Sequence, residues 1–83
     1  MRQLATRQDA ATVALGGATL SVRARDGAEL MRGTVAGELD RRDGYRVALV
    51  DGQRRGWLMW PTSGGAVFAG VLWPRQAVDV WLI

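Results

Sequence analysis

The side chains with the most capacity for recognition are crowded into the last third of the chain. All four tryptophans, Trp57, Trp60, Trp73 and Trp81, lie there, and from residue 56 onward the only charged side chains are Arg75 and Asp79. Large rings in a stretch without solubilising charge belong either to a core or to a contact surface. Just upstream stands the basic pair Arg54-Arg55, and further back Arg41-Arg42. A guanidinium pair beside an indole can hold phosphate and stack a base, which is how small barrels grip single-stranded nucleic acid. The acids Asp40, Asp43 and Asp51 flank those arginines, however, and residues 23–55 carry eight Arg against six acids. The net charge of +3 is therefore distributed, with no single-sign run.

Other chemistries lack their reagents. There is no His and no Cys, so the usual general base, the usual metal ligands and any disulfide framework are missing. All eleven basic residues are Arg and none is Lys, which removes Schiff-base chemistry. Ser21, Ser63 and the threonines have no partner to activate them. Gly64-Gly65 is followed by neither lysine nor helix pattern, and Asp40-x-x-Asp43-Gly44 and Asp51-Gly52 read as turns rather than calcium loops. No catalytic residue, cofactor or metal is expected. Enzymatic activity survives as a reading only if several copies build a shared site around a symmetry axis.

The elements that must position these residues read as strands. Eighty-three residues at 9.0 kDa make one domain, residues 1–83. Thr12 to Val22 reads as a hairpin around Gly16-Gly17, pairing Leu15 with Ala18 and Val13 with Leu20. A helix from Arg7 to Leu15, capped by Thr6 with Asp9 and closed by Gly16, competes for the same segment. Met31 to Leu39 follows as a strand with Val35, Gly37 and Leu39 on one side. Tyr45 to Val50 and Arg55 to Trp60 form a hairpin in which Leu49 meets Gly56, Val47 meets Leu58 and Tyr45 meets Trp60. That register points Trp57 and Met59 outward. Ala66 to Leu72 is a further strand stopped near Pro74, and Ala77 to Leu82 is the last, with Val78, Val80 and Leu82 inward and Asp79 and Trp81 outward. The pattern predicts an all-β fold, a small antiparallel barrel of about five to seven short strands.

The run from Gly44 to Trp57, followed by Gly70-Val71-Leu72-Trp73-Pro74, resembles the centre and the Gly-x-aliphatic-Pro segment of SH3 domains, with Trp73 as one inserted residue. The likeness covers roughly residues 35–80. A second alignment, through Leu20 to Arg23, Gly33 to Val35 and Asp51 to Trp57, is similar to bacterial SH3b domains. The resemblance implies an SH3-like barrel, in which Trp57 would be the groove tryptophan, Pro74 the groove proline, and Asp40 and Asp43 acids near its rim. Ala77 stands where that family's groove tyrosine belongs, and the aromatic first strand has no counterpart.

The function expected from these residues is non-catalytic protein binding or self-association through Trp57, Met59, Pro74 and Trp81. The size suits an inhibitor, adaptor or assembly factor of the kind that phages and other mobile elements encode. Nucleic-acid binding through Arg54 and Arg55 is the alternative. No apolar run approaches the roughly 20 residues of a membrane helix. The segment Ala10 to Leu15 is too short and too polar for a leader, so a cytoplasmic location is expected.

Overall fold

The computed structural model describes residues 1–83. Its centre is the hairpin of β4 (Gly44–Asp51) and β5 (Arg54–Pro61), where Tyr45 faces Trp60, Val47 faces Leu58 and Leu49 faces Gly56, the register read from the sequence. Gly52 has φ 60° at the first central position of the two-residue turn, the place where a II′ hairpin turn requires glycine. β3 (Glu29–Arg41) pairs with β4 along its second half. Between Val35 and Gly37 the ladder bulges, so that Val35 faces buried Leu49 while Gly37 faces outward Ala48. The bulge at Ala36 shifts the alternation by one residue. Val35, Gly37 and Leu39 therefore do not share a side, and Leu39 lies on the surface.

The other strands are β1 (Arg2–Gln3), β2 (Thr19–Arg23), β6 (Val67–Gly70), β7 (Trp73–Ala77) and β8 (Asp79–Leu82). They join one antiparallel sheet in the order β1-β8-β2-β3-β4-β5-β6-β7. The fold is all-β, with eight strands rather than five to seven, and the sheet is an open ladder rather than a closed barrel. Only Val78 separates β7, at one end of this order, from β8, near the other. The sheet must curl for the chain to make that step. At the corner the Val78 amide donates to the Ala66 carbonyl at 3.1 Å, and the Leu4 amide donates to the Val80 carbonyl at 2.8 Å.

Two local expectations are corrected. Residues 12–22 form no hairpin, since only β2, from Thr19, is strand there; the competing helix does form, as α1, but over Arg7–Ala11 with Thr12 as its C-cap rather than on to Leu15. Thr6 Oγ1 accepts from the Asp9 amide at 3.3 Å, while the Asp9 carboxylate accepts from the Thr6 and Ala5 amides at 3.1 and 3.0 Å. This capping box satisfies amides that an isolated turn would leave to water, and the Thr6 amide above all holds the Asp9 carboxyl below the usual carboxylate range. Gly16-Gly17 is still a turn, with the Ala18 amide donating to the Leu15 carbonyl, but only Gly17 has positive φ. That is the type II pattern, whose twist does not pair flanking strands, so Leu15 drops into the core instead. Secondly, Ala66 to Leu72 is not one strand. β6 and β7 turn around exposed Val71 and Leu72, and Pro74 sits inside β7. β7 is a sheet edge paired only with β6, where a residue without an amide hydrogen is tolerated.

The core lies on the concave side of the curl. Trp60 is fully buried there, and its indole N–H donates to the Leu4 carbonyl at 2.8 Å. Phe68 crosses Gly56 so closely that a Cβ at residue 56 would overlap the ring, and Trp73 leans on Phe68 with centroids 5.5 Å apart. The Arg7 guanidinium ties α1 to the β3–β4 turn through Asp40 Oδ1 at 2.8 Å and the Arg41 carbonyl at 2.5 Å. These contacts set the expected costs. Gly56→Ala overpacks the core and lowers unfolding free energy in urea by about 1–3 kcal/mol, and Trp60→Phe, by stranding the Leu4 carbonyl, does so by about 1–3 kcal/mol. An unchanged midpoint for either variant contradicts the packing described.

Candidate functional site

Outward side chains on β3, β4, β5 and β6 form two rows across the sheet. One runs Gly37, Ala48, Trp57, Ala69, and the next Leu39, Arg46, Met59, Val67. In the first row the only large side chain is Trp57, because glycine and alanine occupy the neighbouring strands. The ring consequently stands above its surroundings and is 50% exposed. With Leu39, Met59 and Val67 it lines a groove of about 780 Å³, within the size range of ligand sites. Trp60, three residues along the same strand, is fully buried. The alternation of β5 thus separates two tryptophans into a core residue and a surface one.

Charge marks the groove's margins. Asp43 lines it on the β3–β4 side and Arg75 on the β7 side, with Arg46 between them, whereas Glu38, between outward Gly37 and Leu39 and opposite buried Val47, carries its carboxylate on the other face. Arg46 donates to Asp43 Oδ2 at 2.6 Å, but its Nε is buried without an acceptor. Arg75 forms no ion pair, whereas Arg7, Arg25, Arg32, Arg46 and Arg54 each do. Glu38 accepts a hydrogen bond from the Tyr45 hydroxyl at 2.5 Å. Tyr45 in turn meets the Trp60 ring edge to face, 6.2 Å between centroids. Burial, then the hydrogen bond and charge of Glu38 and the charge of Asp40, push the Tyr45 hydroxyl up to about 12.

The residues singled out in the sequence are not all brought together. Trp57 and Met59 share the groove. Pro74 is exposed on β7 outside it, although its neighbour Arg75 lines it. Trp81 is half-buried on β8, with β2, β3 and β4 between it and Trp57. It lies opposite buried Ser21, with the Arg23 guanidinium 5.6 Å from its ring centroid. Arg54 is held by Asp51 and lies 5.9 Å from the Trp73 ring, and Arg55 is exposed. Arg41-Arg42 occupy the opposite end of β4 from Arg54-Arg55, so the two basic pairs form no common patch. No three acidic, His or Cys side chains converge, and no helix is long and apolar enough to cross a membrane.

Leu39, Ala48, Val67, Ala69 and Arg75 were not singled out from the sequence. Ala48 was within reach, since the β4–β5 register already set it opposite Trp57. Leu39 depends on the bulge, and Val67, Ala69 and Arg75 on the β6–β7 hairpin. Tyr45 reports on the core-side face opposite the groove, because it is the one tyrosine. Its raised value means that the neutral phenol contributes stability in full below about pH 10, lost as pH rises toward 12. Phenolate absorbance is expected near pH 12 in the native protein and lower in Glu38→Gln; ionisation at the ordinary 10.0 contradicts the Tyr45–Glu38 geometry. No protein-family model, curated protein or solved structure matches the chain, so its function is argued from this geometry.

Proposed function

We propose that this chain is a non-catalytic protein-binding module, an SH3-like β-roll that takes an apolar surface of another protein molecule into the outer groove around Trp57. The observation that carries this is a half-exposed indole standing among Gly37, Ala48 and Ala69 in a groove of about 780 Å³. A tryptophan in such a setting is the commonest anchor of protein interfaces, since it offers large area at low entropic cost. The SH3-like reading draws support from the strand order β8-β2-β3-β4-β5, in which the last strand returns beside the first long one. The role is an inhibitor, adaptor or structural assembly factor. Nucleic-acid binding through Arg54 and Arg55 is the weaker reading, because Asp51 neutralises Arg54 and the basic pairs lie apart.

Truncating an anchor weakens association without unfolding the protein. Trp57→Ala is expected to leave the circular dichroism melt nearly unchanged and to weaken complex formation, followed by light scattering, by at least about tenfold. A melt that collapses in Trp57→Ala makes the ring a packing residue and ends the proposal.

A further inference from the structure

We infer that the groove takes an acidic segment of another protein, one that lays an apolar side chain on Trp57 and carries carboxylates on either side of it. The inference rests on the protein-binding reading above and names the chemistry of the partner. Two cations share the outer face with the Trp57 ring. Arg55 is one: Gly56 faces inward against Phe68, so Arg55 and Trp57, on either side of it along β5, both face outward, and both are exposed. Arg75 is the other. Its neighbour Gln76 faces buried Phe68, which puts Arg75 on the outer side together with Ala69, the residue opposite Trp57 on β6. Neither guanidinium has an ion pair.

The balance of charge on this face selects the partner. Asp43 is the acid that turns its carboxylate to the groove, and Arg46 already holds it at 2.6 Å. Arg46 also keeps a buried Nε without an acceptor. The face therefore has more donors than acceptors and a positive excess. An acidic segment answers both through charge-assisted hydrogen bonds, whereas a basic one is repelled. The floor between the cations decides against a nucleic acid. It is made by Ala48, Ala69, Met59 and Val67, with Trp57 as its single ring, and a single strand needs a continuous basic track with successive rings to stack its bases. A protein segment supplies both kinds of group that the face lacks, an apolar side chain to cover the indole and carboxylates to reach the guanidiniums.

Selection from a displayed library of random peptides, with the full chain as bait, tests this. Sequences retained by the wild-type chain and lost with Trp57→Ala are expected to be enriched in Asp and Glu beside Leu, Ile, Val or an aromatic residue. The leading sequence, synthesised with a fluorescent label, is then titrated by anisotropy. Arg55→Glu and Arg75→Glu should each weaken its binding by at least about tenfold, since each sets like charges together. Arg2→Glu, the same change of charge on β1 outside the groove, should alter it by less than about twofold, because exposed charges beyond a Debye length are screened. Circular dichroism melts of all variants confirm that they are folded. Trp57-dependent peptides that are neutral or basic, or an acidic peptide indifferent to both reversals, overturn the acidic assignment and leave the protein-binding reading standing. Tighter binding of single-stranded oligothymidylate than of any selected peptide, through the same arginines, overturns it in favour of nucleic acid. A selection that yields no Trp57-dependent peptide also overturns it, and the underlying reading then stands or falls with the melt of Trp57→Ala.

Discussion

The phase of β5 is fixed by the burial of Trp60. Successive residues of a strand face opposite sides, so one strongly determined position determines its neighbours. Trp60 is that position: its ring is sealed from water, and its N–H closes the otherwise unanswered Leu4 carbonyl on the incoming amino-terminal segment. Leu58 is buried beside it in the same phase. Slipping β5 by one residue would expose both, at about 1.5–3 kcal/mol for each large apolar side chain. It would also leave a buried carbonyl without a donor. Trp57 and Met59 face outward because that cost keeps them there.

Much of this was legible in the sequence. Gly44 to Trp60 has a period-two pattern on both sides of an Asp-Gly turn, and its register follows from matching apolar faces, so Trp57 and Met59 could be assigned to the surface before any coordinates. Elsewhere the sequence carries signals that serve two structures. Gly16-Gly17 suits a primed hairpin turn and a type II turn alike, and what decides between them is the capping box of Thr6 and Asp9, several residues away. The β6–β7 turn was hidden because its tip is Val71-Leu72, apolar residues that read as continuing strand. Pro74 and Trp81 were grouped with Trp57 for a similar reason. Residue type marks them as contact candidates, but which strands neighbour them depends on the curl of the sheet and the one-residue step at Val78.

Electrostatics shape the surface more than they stabilise the fold. Three of the five ion pairs, Arg32–Glu29, Arg46–Asp43 and Arg54–Asp51, join residues three apart in or beside strands, and exposed pairs of this kind contribute little, about 0–1 kcal/mol each. Their consequence is distribution. Arginines held by nearby acids do not gather into the continuous basic track that a nucleic-acid backbone requires. The groove, by contrast, keeps an unpaired cation, Arg75, on its β7 margin and the Arg46–Asp43 pair toward the other. The composition that looks basic as a total of +3 is, along this groove, one free cation beside a neutralised pair.

The central claim, that β5 sends one tryptophan into the core and presents another to a partner, is tested most directly by hydrogen exchange of the four indole N–H groups followed by nuclear magnetic resonance. The account predicts that the Trp60 N–H is the slowest and that the Trp57 N–H exchanges freely in dilute protein. Protection of Trp57 equal to that of Trp60 in dilute protein would contradict it.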